Sequence, residues 1–209
     1  MKYLIAVPCM DMMHTSFAQS LMSMERIGSN QFAFVRNSLV YDARNMIVTT
    51  AIEGDFDRVL WLDSDMVFDS DIMIKLAQDL DEGREMVCGL FFRRQPPFKP
   101  CIYDTLYITQ NEDGTMTPHS RIYEDYPRNE IFPIKAVGFG AVMTSVTMLR
   151  QILDEFGQPF TPAVGFGEDL SFCARANQLG IEMFCDSRIK VGHAGQYIVT
   201  EETWTMNSI

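Results

Sequence analysis

The chain has 209 residues, of which 47% are hydrophobic, and its formal net charge is −11 at pH 7. This is enough apolar material for one domain with a full core. A strongly acidic surface repels nucleic-acid backbones and anionic membranes, so we expect neither as a partner.

Cysteine usage and hydropathy bear on where the protein works. The five cysteines form no Cys-x-x-Cys pair, which predicts free thiols in a cytoplasmic protein rather than disulfides or a zinc site. No apolar run approaches the length of a membrane span. The first apolar segment, residues 3–7, is too short for a signal peptide.

Strand-like and helix-like segments alternate along the first half of the chain. The pattern predicts strands at 3–7, 32–35, 59–62 and 86–92, with helices at 11–24, 39–52 and 71–80 between them. Such alternation favours a parallel sheet flanked by helices.

The alternation stops at the proline-rich segment 95–100, which breaks helices and central strands. Beyond it, residues 111–114 predict a hairpin turn between strands at 102–109 and from 116 onward. A strand at 136–144, helices at 146–156 and 169–179, and a last strand at 181–185 complete the prediction. We therefore expect an α/β fold whose mixed sheet is flanked by helices and whose second half is rich in antiparallel strands.

Two aspartates, Asp63 and Asp65, directly follow the third predicted strand. In open α/β sheets, ligands bind beyond the carboxyl ends of the strands. Carboxylate oxygens at that place suit Mg²⁺ or Mn²⁺. The same spacing recurs elsewhere in this chain, so the position after a strand is what distinguishes this pair. The alternative interpretation is a polar loop that caps the next helix through Asp69 or Ser70.

A second acidic pair, Glu168 and Asp169, stands at a predicted helix start after the glycine-containing segment 165–167. Either acid could simply cap the helix and interact with its dipole. The functional interpretation is that glycine lets the backbone approach a ligand while one acid acts as a general base. Near the end of the chain, His193 lies between glycines; taken alone, such a histidine is usually an ordinary surface residue.

In this order, the segments resemble a nucleotide-sugar-dependent glycosyltransferase of the GT-A fold, closest to the family 2-like group. The segments that carry the resemblance are Ala6-Val7-Pro8, Ala43-Arg44-Asn45, Leu62-Asp63-Ser64-Asp65, Gly138-Phe139-Gly140-Ala141, Gly167-Glu168-Asp169 and His193. The resemblance covers most of the chain. It implies a single domain in which residues 1–92 bind the nucleotide, while 93–209 hold the acceptor and catalytic residues and a tail.

The resemblance implies that Asp63, Ser64 and Asp65 hold a nucleoside-diphosphate sugar and its divalent cation, Mn²⁺ or Mg²⁺. Asp63 would contact the ribose, the metal or a metal-bound water, and Asp65 would ligate the metal. His193 would complete the metal's coordination. The family usually places an acid after the second strand to recognise uracil, and this chain has Arg36-Asn37 there. The base of the donor is therefore left open.

Four further residues are expected around the donor. Pro8 would lie beside the base, and Gly138 and Gly140 beside the donor sugar. Arg44 would lie near the nucleotide, where a guanidinium suits phosphate. Its alternative is an ion pair with Asp42 or with an acidic strand end.

The resemblance implies that Asp169 corresponds to the general base of the inverting glycosyltransferases in this family. It would accept the proton of an acceptor hydroxyl as that oxygen attacks the anomeric carbon in line with the departing diphosphate. Glu168 would orient the acceptor or assist. Arg93 and Arg94 could contact donor or acceptor, or could lie in a solvated loop.

The acceptor is left open among a saccharide, a protein and a small molecule. The tail at 195–209 could form a lid or the contact of a homodimer, and Trp204 could stack on a sugar or pack the tail down.

Three other functions are weaker. A non-catalytic sugar-nucleotide-binding module would be expected to lose Asp169 or a metal ligand. A sugar nucleotidyltransferase usually carries a glycine-rich basic loop where this chain has residues 9–13. An aspartyl phosphatase would place its Asp-x-Asp after the first strand.

Overall fold

A computed structural model describes residues 1–163, 165–195 and 198–207, without the side chain of residue 207. The strands are β1 (Lys2–Pro8), β2 (Ser29–Val35), β3 (Arg58–Leu62), β4 (Met66–Val67), β5 (Met86–Leu90), β6 (Ile102–Gln110), β7 (Met116–Ile122), β8 (Ile131–Ile134), β9 (Ala136–Val137), β10 (Ala141–Ser145), β11 (Met183–Lys190), β12 (Gly192–Ala194) and β13 (Ile198–Val199). The helices are α1 (Thr15–Ser23), α2 (Val40–Glu53), α3 (Ile72–Asp81), α4 (Val146–Phe156), α5 (Glu168–Gln178) and α6 (Glu201–Asn207). None of these helices is long and apolar enough to cross a membrane.

A seven-stranded sheet in the order β2-β1-β3-β10-β5-β11-β8 forms the centre of the molecule. β1 pairs in parallel with β2 and β3, and β5 pairs in parallel with β11. β10 runs antiparallel to both β3 and β5, so β1, β3, β5 and β11 all point the same way. Their carboxyl ends therefore lie at the same end of the sheet, where open α/β sheets bind ligands.

The central strands are apolar because both faces of the sheet are covered. Every residue of β3 and β5 is buried. Continuous burial of this kind explains why an uninterrupted apolar run, rather than an alternating one, predicted these strands. The expected α/β class, with a mixed sheet and an antiparallel second half, is confirmed.

Two smaller sheets lie at the end of the central sheet where the carboxyl ends of its parallel strands are found. The predicted hairpin is present as β6 and β7, and β9 pairs with the other side of β6. The other small sheet, in the order β13-β12-β4, joins the end of the chain to the segment directly after β3.

The structure differs from the sequence prediction in several details. The first helix begins at Thr15 rather than at residue 11, because the backbone N–H of His14 donates to Ser64 O at 3.0 Å and the His14 side chain caps the helix. The strand expected at 136–144 is two strands, β9 and β10, which belong to different sheets. β8 was not predicted, and it pairs antiparallel with β11 at the sheet's edge.

Candidate functional site

A cavity of about 240 Å³ lies at the carboxyl ends of β1 and β3, beside the first turns of α2 and α5. Its lining residues are Pro8, Cys9, Met10, Ser38, Val40, Ala43, Arg44, Asp63, Ser64, Asp65 and Glu168. Three segments expected around the donor therefore line one cavity, together with the first acid of the later acidic pair. Gly138, Gly140, Asp169 and His193 lie outside this lining and are described below.

Arg44 joins the two acidic motifs. Its Nη2 donates to Asp63 Oδ1 at 2.8 Å, and its Nη1 donates to Glu168 Oε1 at 2.7 Å. The arginine is only 2% exposed, although it carries a full charge. A buried guanidinium needs such partners, because an unpaired buried charge is costly. The alternative that the sequence left open, an ion pair with an acidic strand end, is the one observed.

Aromatic rings lie next to the Arg44 guanidinium. Its central carbon is 5.4 Å from the centroid of Phe139 and 5.8 Å from that of Phe160. Phe139 in turn packs edge to face on Trp61 of β3, with ring centroids 5.8 Å apart. Cation–π contacts and this packing fix the plane of the guanidinium. The two carboxylates are thus held by a rigid cation rather than by a mobile surface side chain.

The small sheet brings His193 to Asp65 across most of the chain's length. His193 pairs with Met66 in the β12–β4 ladder, and the backbone N–H of Ala194 donates to Asp65 O at 2.8 Å. As a result, His193 Nε2 lies 3.3 Å from Asp65 Oδ2. Although burial acts in the opposite direction, the hydrogen bond and charge of His193, together with Arg94, hold the pKa of Asp65 below its usual value.

The other ring nitrogen fixes the tautomer of His193. Its Nδ1 lies 2.8 Å from Phe92 O, and a carbonyl oxygen can only accept, so Nδ1 carries a proton. Nε2 then faces the Asp65 carboxylate, and that contact is favourable only with a further proton or a metal ion at Nε2. A histidine whose second nitrogen donates to a backbone carbonyl is the usual arrangement of a metal ligand.

Asp65 and His193 therefore fit a divalent cation as a pair of ligands. Across the part of the chain that the structure describes, no group of three His, Cys, Asp or Glu side chains is placed to hold a metal ion. The Oδ1 atom of Asp63 is bound by Arg44, and burial raises the pKa of Asp63 against the effect of that arginine. Phosphate and water oxygens would have to supply the remaining positions, which is how Mg²⁺ is commonly held.

Backbone hydrogen bonds hold the Asp-x-Asp segment. Asp63 N–H donates to Gly140 O at 3.0 Å, and Met66 N–H donates back to Asp63 O at 3.1 Å. A side chain at Gly140 would collide, because its Cβ would lie 2.9 Å from both Met66 Cε and Phe91 Cε2. Gly140 thus packs closely on the core at the end of β3. The alternative that Asp69 or Ser70 caps the next helix is wrong, since α3 has no hydrogen bond from a side-chain cap.

Asp169 is the second acid of α5 and lies next to Gly138. A Cβ on Gly138 would be 3.6 Å from Asp169 Oδ2 and 3.4 Å from Phe91 Cζ. The other oxygen, Oδ1, accepts from the backbone N–H of Leu170 at 2.7 Å. Burial, followed by the charge of Glu168, raises the pKa of Asp169 to about 6. A carboxylate with a pKa near neutrality is suited to general base catalysis.

The two arginines after β5 have different partners. Arg94 Nη1 donates to Asp65 Oδ2 at 2.5 Å, and Arg93 Nη2 donates to Tyr103 Oη at 2.9 Å. The sequence left open whether these arginines contact donor or acceptor or lie in a solvated loop. The contact from Arg94 to Asp65 was missed because no local pattern links residue 65 to a loop 29 positions later.

The tail packs onto the sheet next to the site. Trp204 stacks on Phe92 with ring centroids 5.5 Å apart, and Arg128 lies 5.1 Å from its indole ring. Packing of the tail, rather than stacking on a sugar, is therefore what the structure shows for Trp204. Because Phe92 O holds His193 Nδ1, α6 also buttresses the candidate metal ligand. Residues 196–197 and 208–209 of the predicted lid or dimer contact lie outside the described residues.

Two solved structures are similar to this molecule. The crystal structure of A197 from STIV has a TM-score of 0.66 and 18% sequence identity, over 93% of this chain and 86% of that chain. The crystal structure of GalNAc-T7 with UDP, GalNAc and Mn²⁺ has a TM-score of 0.58 and 9% identity, over 99% of this chain and 47% of that chain. The chain thus spans about half the length of GalNAc-T7.

No protein-family model matches the chain, and no curated protein sequence matches it. The structural likeness is therefore evidence of fold. The seven-stranded mixed sheet with its flanking helices is the GT-A fold of glycosyltransferases, as expected. The narrower family 2-like assignment has no support from a family model or a curated relative.

Proposed function

We propose that the protein is a metal-dependent glycosyltransferase that moves a sugar from a nucleoside-diphosphate sugar to an acceptor hydroxyl with inversion. The observation that carries the proposal is the bridge from Asp63 through Arg44 to Glu168. It joins the expected donor-binding motif to the expected catalytic motif beside one cavity. If these acids had only structural roles, the two motifs would have no reason to share one buried cation.

In this proposal the cavity holds the nucleotide end of the donor. Pro8 and the segment after it would contact the base, while Asp63 and Ser64 would contact the ribose. The diphosphate would extend towards Asp65 and His193, which would hold Mn²⁺ or Mg²⁺. When bound, the cation would neutralise the charge that develops on the departing nucleoside diphosphate.

Asp169 acts at the other end of the donor. The acceptor oxygen forms a bond to the anomeric carbon, and the bond from that carbon to the phosphate oxygen breaks. The leaving diphosphate takes the electron pair, and the acceptor's proton passes to the Asp169 carboxylate. Gly138 would lie beside the donor sugar, since a Cβ at this position would be 3.6 Å from Asp169 Oδ2. Glu168, fixed by Arg44, keeps a negative charge near Asp169 and so maintains its basicity.

The test is thermal stabilisation by a panel of nucleoside diphosphates and their sugars, with and without Mn²⁺, for the wild type and Asp65→Ala. We expect one base to stabilise the wild type only when Mn²⁺ is present, and Asp65→Ala to lose that effect. Lys75→Ala is a surface control, since Lys75 forms an ion pair with Asp71 in which both side chains are 41% exposed. Absence of stabilisation by every nucleotide would refute the proposed donor site. Stabilisation without turnover would favour the non-catalytic binding module.

A further inference from the structure

The Asp65 carboxylate is held by an arginine at the position where the proposed function requires a metal ion. Arg94 Nη1 lies 2.5 Å from Asp65 Oδ2, the same oxygen that faces His193 Nε2 at 3.3 Å. The guanidinium thus provides the positive charge that a divalent cation would otherwise bring to this oxygen. A divalent cation held by this oxygen and His193 Nε2 would lie close to the guanidinium of Arg94, and the two positive charges would repel each other.

The surroundings of Arg94 allow its side chain to leave while its backbone stays. Its side chain is 53% exposed, and among the described residues Asp65 is the only hydrogen-bond partner of its guanidinium. The loop that carries it is closed at its base, because Arg93 N–H donates to Lys99 O at 2.9 Å. Phe98 N–H also donates to Gln95 O at 2.9 Å within the loop. A released Arg94 side chain would therefore stay beside the cavity.

We propose that Arg94 and the divalent cation are alternative partners of Asp65, and that the displaced Arg94 binds the diphosphate of the donor. The inference rests on the proposed function, since it assumes that a metal and a diphosphate meet at Asp65. A guanidinium matches two phosphate oxygens with parallel N–H bonds. Metal binding thus converts Arg94 from a partner of Asp65 into a group that binds the diphosphate of the substrate, and it places the metal before the diphosphate in the order of binding.

Two equilibrium measurements test the inference on the whole chain. The first is Mn²⁺ binding to the protein alone by calorimetry, and the second is binding of inorganic pyrophosphate at saturating Mn²⁺. For Arg94→Ala we expect Mn²⁺ to bind about two- to fivefold more tightly, since an exposed competing ion pair is lost. We expect pyrophosphate to bind about tenfold more weakly, since a charge-assisted contact is lost.

Two further variants serve as controls. Arg94→Lys keeps the charge but not the paired donors, so it should bind Mn²⁺ as the wild type does and still bind pyrophosphate less well. Arg121→Ala removes a similar exposed arginine, paired with Asp104 on the β6–β7 hairpin, and should change neither affinity.

The outcomes separate the inference from the proposed function. If the wild type and Arg94→Ala bind Mn²⁺ equally well, the competition is refuted while metal binding stands. If Arg94→Ala weakens both Mn²⁺ and pyrophosphate, Arg94 only supports the loop and the inference is refuted. If neither protein binds Mn²⁺, both the inference and the metal-dependent function are refuted. Tighter Mn²⁺ binding together with weaker pyrophosphate binding supports it.

Discussion

The guanidinium of Arg44 lies 2.8 Å from the Asp63 carboxylate and is almost completely buried. The pair connects α2 to the residue directly after β3, and the same guanidinium also binds Glu168 of α5. Since both terminal nitrogens are used by protein carboxylates, Arg44 orients the acids of the proposed site. Direct contact between Arg44 and the donor, expected from the resemblance, stays a prediction.

Arg44→Ala should destabilise the fold strongly. The substitution leaves two carboxylates facing an empty space, and breaking a largely buried ion pair costs about 3 kcal/mol. Chemical denaturation would measure the loss, with Arg121→Ala as the control that should stay within about 0.5 kcal/mol of the wild type. A double-mutant cycle with Glu168→Gln should be clearly non-additive. An Arg44→Ala variant as stable as the control would mean that the bridge does not hold the site together.

Activity should depend on the ionisation of Asp169. Its pKa is raised to about 6, and the base must be deprotonated, so kcat/KM should rise with pH through about 6 and then level off. Glu168→Gln removes a charge that raises this pKa, so the acidic limb should move to lower pH. Asp169→Asn should lower the rate by about 10²–10⁴-fold while donor binding is retained. A limb that does not move in Glu168→Gln would argue against Asp169 as the titrating base.

Gly138→Ala and Gly140→Ala should fail in different ways. The new methyl group at Gly140 would lie 2.9 Å from Met66 and Phe91, so we expect a loss of about 1–3 kcal/mol in the free energy of unfolding. At Gly138 the nearest atoms are 3.4 and 3.6 Å away, so the fold should tolerate alanine while the donor's KM rises. Denaturation curves and steady-state kinetics on both variants would distinguish the two effects. Equal stability losses would contradict this division of roles.

A buried acid pair away from the cavity should make stability depend on pH. Burial, then the hydrogen bond and charge of Asp186, raise the pKa of Asp79 from 3.8 to about 7, with Arg188 opposing. An acid with a raised folded pKa stabilises the fold at low pH, and that contribution is lost as pH rises from about 4 through about 7.

Asp79→Asn should therefore be more stable than the wild type at pH 8 by about 1–2 kcal/mol. This expected difference in the free energy of unfolding is kept small because solvent around Arg188 screens the charges. The advantage should shrink towards pH 5, as measured by urea denaturation at several pH values. Exposed Asp154→Asn is the control and should show no such trend. An advantage that is independent of pH would exclude the acid pair as its cause.

Elements with strong local patterns could be predicted from the sequence, and those made by distant pairing could not. The apolar runs of β1 and β3 and the periodic faces of α2 and α4 mark those elements directly. The local sequence does not indicate that β10 lies antiparallel between β3 and β5, because strand pairing depends on tertiary contacts. The helix expected from residue 11 was wrong for the same reason, since a bond from His14 to Ser64 holds that loop.

The same limit applies to the candidate site. The sequence identified Asp63, Asp65, Asp169 and His193 as residues of interest, but their mutual distances depend on contacts across the chain. β4 and β12 have only two and three residues and carry no periodicity, although they bring His193 to Asp65. The shared use of Arg44 by two motifs was likewise outside the reach of a pattern argument.

Release of nucleoside diphosphate from sugar nucleotides tests the central claim most directly. It should be measured over a panel of donors with Mn²⁺, water serving as a poor acceptor, for the wild type, Asp65→Asn and Asp169→Asn. We predict slow release from one class of donor that requires Mn²⁺, with Asp65→Asn losing the metal dependence and Asp169→Asn losing turnover but not binding. Release that is absent from every donor, or unchanged in both variants, would contradict a glycosyltransferase that works through these carboxylates.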